Sequence, residues 1–371
     1  MSAATRLPAL AGLLTTSAAL LGLSTIPSVH NFLSRYLHST TRTNILRLFA
    51  LLLALSNLKN LPGFWHIRVL RGIIYQIYFN PKTQTPKHLF APTVTSSFNT
   101  LYDCDYNFHK SNSTYFADLD VARAHCVGAL IRTGLTRLNR GDEEGLPQDA
   151  RASGGRYTIA LGGVCCFFQR QIEPLQGFEI FTRLLAWDRK WVYIVSHVVK
   201  KGEVRPERYV LQPWKKGKAR AKMAGEGEGE EDLGKHIFAT SVARYVFKKG
   251  RLTINPEIVL ERSYLLPARP EGTSLPPRSE GSPVDDTPAP AETPAIYGGL
   301  TSPEAVISEV NAKLGDVAER DGNGDDEGWT WDDTERERLK GLKIASHFES
   351  LSAAHGEFKA EEVLGQYGDY W

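Results

Sequence analysis

Between residues 103 and 115 the chain places Asp103, Asp105, Asn107, His109, Ser111, Asn112 and Tyr115, seven polar or ionisable side chains in 13 positions. A carboxylate with an imidazole and amides at this density can do acid–base or nucleophilic chemistry. Asn112–Arg137 reads as a helix, because Tyr115, Leu119, Ala122, Cys126, Ala129, Leu130 and Thr133 recur at intervals of three and four. The polar cluster therefore leads into a helix N-terminus, whose free N–H groups and positive dipole end can hold an anion or polarise a carbonyl. A carboxylate fixed just before such a terminus can act as nucleophile or general base, with the helix N–H groups stabilising a developing oxyanion. The same residues are also what turns and N-caps are made of, so composition leaves both readings open.

Several strands must hold this cluster in place. Val94–Tyr102 is rich in β-branched and aromatic residues and ends at the Asp103-Cys104-Asp105 turn. Tyr157–Ile172 reads as a long strand bent at Gly162-Gly163. Phe178–Trp187 and Trp191–Val199 form a hairpin through Asp188-Arg189-Lys190. Ile237–Lys248 adds a strand, and Ile258–Tyr264 extends the edge. The expected fold class is α+β, an antiparallel sheet wrapped around one long buried helix, over residues 86–266. The 215–235 insertion, basic and then acidic, lacks aromatic residues for base stacking and reads as a solvated loop rather than a nucleic-acid patch.

The flanks differ in composition. Ala9–Ile26 carries no charge, and residues 45–61 form a second apolar run, so residues 1–80 read as a hydrophobic anchor with one or two transmembrane runs at 9–26 and 45–61. Phe64–Phe79, aromatic with Arg68 and Arg71, suits a membrane–water interface. The basic residues that follow place the main domain on the cytosolic side of the endoplasmic reticulum or another internal membrane. Residues 267–300 are Pro-rich and polar, a disordered linker. Beyond it, 301–371 carries amphipathic helices, one from Ser302 and one from the Thr334–Glu337 capping box, whose apolar faces need the main domain as a partner.

Across 371 residues, 44 basic and 42 acidic side chains leave a net charge of +2, which gives no global pull toward nucleic acid. Four cysteines without a C-x-x-C pair exclude a disulfide scaffold and speak against structural zinc. His109, His125 and Cys126 lack a familiar ligand spacing, so neither a metal nor a cofactor is expected.

The spacing D-x-D-x-x-x-H-x-x-N-x-x-Y, carried by Asp103, Asp105, His109, Asn112 and Tyr115, resembles the signature of hotdog-fold thioesterases of the 4-hydroxybenzoyl-CoA thioesterase type. The resemblance is closer still to the membrane-anchored thioesterase superfamily member 6 group, in the same D-x-D…H…N…Y spacing, in the apolar N-terminus and in the stretch Gln169–Tyr193. The resemblance spans roughly residues 45–265. It implies a single hotdog domain, an acyl-CoA or other acyl-thioester substrate, and a homodimer with the site at the interface. By the same resemblance Asp105, His109 and Asn112 are the catalytic candidates, with Asn107, Ser111 and Tyr115 on the substrate side. Phe108 stands where the soluble enzymes have glycine, and Ser111 replaces the first asparagine of the usual pair. These departures motivate a second reading, a non-catalytic hotdog module that binds acyl chains or partners at a membrane. A third, a D-x-D glycosyltransferase, has no βαβ nucleotide-binding unit to support it.

Overall fold

The computed structural model describes residues 41–80, 84–215 apart from 145 and 147, 233–270 and 329–351, with a few isolated positions besides. The chain divides into two compact units, Met1–Pro62 and Gly63–Trp371. In the first, helix α1 (Thr41–Ser56) has 16 residues. At 1.5 Å per residue it is about 24 Å long, short of the roughly 30 Å of a bilayer's hydrocarbon core. Asn57 ends it, donating its side-chain amide to the Leu53 carbonyl at 2.7 Å. The expected span over 45–61 therefore stops early. Among the described residues no helix is long and apolar enough to cross a membrane. The run at 9–26 lies outside them.

The second unit begins with α2 (Phe64–Ile74), a π-helical turn (Tyr75–Phe79) and strand β1 (Thr93–Phe98). It continues with α3 (Asn112–Asn139), β2 (Tyr157–Phe168), β3 (Gly177–Trp187), β4 (Trp191–Lys200), β5 (Ile237–Lys249), β6 (Leu252–Ile254), α4 (Pro256–Arg262) and α5 (Trp331–Ser350). The strands form one antiparallel sheet in the order β1-β3-β4-β5-β2, with β6 turning back onto β5. The sheet wraps α3, the hotdog-like α+β arrangement expected from the sequence. Of the seven helix positions read as apolar, all are buried except Thr133, which is half-buried.

Three local readings change. The first strand stops at Phe98 rather than Tyr102, because Thr100 and Asp103 form a capping box that tightens Leu101–Asp103 into a 3₁₀ turn. Ile258–Tyr264 is not an edge strand. Asn255 accepts the Glu257 N–H at 3.0 Å and Pro256 takes the first helical position, so the segment winds into α4. Phe64–Phe79 belongs to the folded unit: Gly72 of α2 faces His125, and Gln76 lies over Gly128, so the two segments approach closely. The bend expected at Gly162-Gly163 is a register shift between Leu161 and Gly163. Residues 216–232, 271–300 and most of 301–328 lie outside the described residues.

Alternation along β3 and β4 gives the sheet two apolar faces. Leu184 and Ile194 join the core on the helix side, while Leu185, Tyr193 and Val195 pack with Leu342 and Ala345 of α5. The C-terminal helix thus covers the sheet face that α3 leaves open. It sits so close that a Cβ at Gly341 would overlap the carbonyl oxygen of Leu185 and press on Ala186. That obstacle is sheet backbone, which cannot yield. Gly341→Ala is therefore expected to destabilise by about 1–3 kcal/mol despite its better helix propensity, read as a lower urea midpoint.

Candidate active site

The Asp105–His109 segment is a tight turn joining the 3₁₀ turn to α3. The Asp105 N–H donates to the His109 carbonyl at 2.9 Å and the Phe108 N–H to the Asp105 carbonyl at 3.0 Å. Cys104 and Lys110 bridge its base. Phe108 takes φ 60°, the left-handed conformation that glycine adopts without strain. The backbone path typical of a glycine is kept with phenylalanine in its place, and the ring, 74% exposed, earns no burial in return. Phe108→Gly is therefore expected to raise stability by about 0.5–1 kcal/mol, the relieved strain outweighing the extra unfolded-chain entropy. The check is a higher urea midpoint at unchanged slope.

The two carboxylates of the D-x-D pair have opposite roles. Asp103 is buried, accepts the Thr100 N–H at 3.1 Å and lies 3.6 Å from the Lys110 ammonium. Asp105 is half-buried, accepts only a local Asn107 N–H at 2.9 Å in an Asx turn, and makes no ion pair among the described residues. One carboxylate is structural and the other is presented. They do not jointly face a ligand, as a D-x-D metal clamp for a sugar nucleotide requires.

At the start of α3, Ser111 is the N-cap residue, yet its side chain caps nothing; its hydroxyl meets that of Ser113 at 3.0 Å. The Ser111 N–H donates to the Asp103 carbonyl at 2.7 Å, which ties the helix start to the 3₁₀ turn. Asn107 and Asn112 are exposed beside Asp105 in the chain. His109 is half-buried, with Nε2 3.6 Å from Glu173 and a buried Nδ1 that has no partner among the described residues. Tyr115, expected on the substrate side, is 3% exposed and stands edge-on to Phe168 at 5.0 Å. Burial, and then Cys166, push its phenol pKa upward.

Sequence reasoning passed over the charges beneath the turn. Lys110 has a fully buried side chain whose ammonium donates to Asp118 at 2.9 Å and lies over the Tyr115 and Phe178 rings. The other Asp118 oxygen accepts from Arg68 of α2 at 2.6 Å. Buried Asn99 donates to the carbonyls of Ile172 and Glu173, both at 3.0 Å, and the Lys110 N–H reaches the same Ile172 carbonyl. An acid on the apolar stripe, Asp118 three residues after Tyr115, was the available signal.

No three His, Cys, Asp or Glu side chains among the described residues converge as metal ligands. Cys126 is buried in the core, its thiol pushed up to about 12 by burial, which makes it a poor ligand.

The sequence profile of the thioesterase-like superfamily matches residues 100–221, from the 3₁₀ turn through α3 and the β3–β4 hairpin. The probable thioesterase atnL of Emericella nidulans is 33% identical over 269 residues, 67% of this chain and 80% of that protein. The thioesterase poxG of Penicillium oxalicum is 30% identical over 338 residues, 89% of this chain and 93% of that protein. The chain belongs to the thioesterase-like superfamily. Within it, the kinship is nearer to these fungal thioesterases than to the member 6 group singled out from the sequence. Protein THEM6 of Danio rerio is 29% identical over 122 residues, 32% of this chain and 52% of that protein. This thioesterase-like chain shares almost the full length of poxG, well beyond the D-x-D turn.

Proposed function

We propose that this thioesterase-like chain hydrolyses acyl thioesters, with acyl-CoA as the substrate class and Asp105 as the reacting carboxylate. The observation that carries the reading is the division of labour in the D-x-D pair: Asp103 is consumed in the fold, while Asp105 is held by its own turn and its carboxylate makes no ion pair among the described residues. Asp105 takes a proton from water as the water oxygen attacks the thioester carbon. The carbonyl oxygen gains charge facing the Asn112 and Ser113 N–H groups that open α3, which the Ser111 side chain does not cap; the Thr114 N–H is already given to the Ser111 carbonyl. The C–S bond then breaks, and the thiolate leaves with the proton, giving carboxylic acid and thiol.

The same reading makes the active form a homodimer. The support is β2, an outer strand of the sheet that exposes Leu161, Phe167 and Phe168 along an edge able to pair with a second copy. It also keeps the chain at the cytosolic face of an internal membrane, supported by the uncharged 9–26 run and by exposed Ile45, Leu48, Phe49 and Leu52 on α1. Extraction of the chain from cell membranes by salt or alkali alone would remove this part of the reading.

One observation favours a second reading. The Phe108 N–H is spent on the Asp105 carbonyl, so a backbone donor is withdrawn from the thioester side. A chain without a working oxyanion site would bind acyl-CoA and not turn it over. The deciding experiment gives the purified full chain a panel of acyl-CoA chain lengths and follows thiol release alongside calorimetric binding. Release above the spontaneous rate supports the enzyme, binding without release supports the module, and neither removes both.

A further inference from the structure

A cavity of about 690 Å³ opens beside edge strand β1, bounded by α2 and its π-helical turn on one side and by residues 204–215 on the other. No residue from 101 to 115 lines it, so it is separate from the Asp105 turn. Its size falls within the roughly 300–1,000 Å³ of small-molecule sites. Its charge is one-sided. Arg68, Arg71, Arg208, Lys215, His88 and His125 line it, and among the described residues no aspartate or glutamate does.

Arg68 is already committed to Asp118. Arg71 and Arg208 make no ion pair among the described residues, and the Lys215 ammonium rests over the Tyr209 ring at 4.5 Å. Three cations therefore share one concavity without a counter-charge among the described residues. The two imidazoles register the same field. Burial first, then Arg208 and Lys87, lower the pKa of His88, and burial followed by Arg71 lowers that of His125. Between the cations the wall mixes apolar and aromatic side chains, Val94, Val121, Phe181 and Tyr75, with uncharged polar ones such as Gln76, Asn80, Thr95 and Gln212. Guanidinium groups bind phosphate oxygens in pairs, and several cations together favour an anion of more than one charge over a single carboxylate.

We propose that this cavity binds a phosphate ester, with its phosphate on Arg71, Arg208 and Lys215 and its organic part along Val94, Phe181 and Tyr75. The phosphate-bearing end of CoA, a phospholipid headgroup and free phosphate share this chemistry, and the experiment separates them. The site does not depend on hydrolysis at Asp105.

The test is calorimetry on the full chain with adenosine 3′,5′-bisphosphate, dihexanoyl phosphatidic acid, inorganic phosphate and hexanoate. At least one phosphate ester is expected to bind more tightly than both inorganic phosphate and hexanoate, and which ester does so identifies the source. Arg71→Glu and Arg208→Glu should each weaken that binding by about tenfold or more, the value of one lost charge-assisted hydrogen bond. Lys340→Glu, on exposed α5 surface and outside the cavity, should leave it unchanged. Both arginines are exposed, so the folds should survive, and Arg71→Gln with Arg208→Gln gives the same comparison if a reversed charge perturbs folding. The proposal is overturned if neither ester binds, if free phosphate or hexanoate binds as well as the esters, or if the arginine variants bind as the parent does. Repeating the titration with Asp105→Asn keeps the two proposals apart: unchanged binding is expected there whether or not the chain is a thioesterase.

Discussion

Replacing Asp105 with asparagine is expected to lower acyl-thioester hydrolysis by about 10²–10⁴-fold, the usual contribution of a positioned acid–base group, while leaving the unfolding midpoint where it was. Asparagine keeps the side-chain oxygen that accepts the Asn107 N–H, so the Asx turn survives and only the ability to take a proton or attack is lost. Asp103→Asn should do the reverse. Asp103 is buried against the Thr100 N–H and the Lys110 ammonium, so removing its charge costs about 1–3 kcal/mol of stability, and the protein that remains folded still turns over substrate. Thiol release and urea unfolding on the same two preparations read both effects. Equal losses of activity in the two variants at matched folded fraction would mean that the pair acts as a unit. No loss in Asp105→Asn would remove Asp105 from the chemistry.

The order of elements was largely legible, because long runs of one periodicity survive any tertiary context. The three-and-four spacing from Tyr115 to Leu130 marks α3, and the Asp188-Arg189-Lys190 link marks the β3–β4 hairpin, which pairs from Phe178↔Lys200 to Trp187↔Val192. What failed did so at short range. Asn255-Pro256 starts a helix through one side-chain acceptor and one fixed φ, a signal easily outweighed by the β-branched residues after it. Phe64–Phe79 is two-sided in a way its composition does not show: Gly72 and Gln76 pack on α3, while Trp65, Ile67, Leu70, Ile74 and Ile77 stay exposed. Its Arg68, read as reaching for water, reaches Asp118 instead. Within the site, sequence marks both carboxylates of Asp103-Cys104-Asp105 equally. Only the capping box and the buried lysine, contacts made 3 residues before Asp103 and 7 residues after it, tell them apart. Lys110 itself sits in a polar turn, where a lysine is ordinarily solvated.

Asp118→Ala carries the largest expected effect on stability, about 3–5 kcal/mol, because it removes the carboxylate shared by a fully buried ammonium and a guanidinium. A domain has only about 5–15 kcal/mol in hand, so much of the variant population should be unfolded at 37 °C. Arg68 is 21% exposed and can turn to water, whereas the Lys110 side chain is 0% exposed and cannot. The cost therefore falls mainly on Lys110. A double variant, Lys110→Met with Asp118→Leu, should recover part of the loss, since apolar side chains in a buried pair's place are often no worse than the pair, but less than all of it because buried Asp103 loses the same ammonium. Urea midpoints of the parent, Lys110→Met, Asp118→Leu and the double variant form the cycle, with Asp118→Ala measured beside them. If Asp118→Ala alone costs less than about 1 kcal/mol, water reaches Lys110 and the network is not dry. If the double variant is stable but turns over no substrate, the pair holds the Asp105 turn in register, since Lys110 closes that turn across from Cys104 and hands its position to α3 through Asp118.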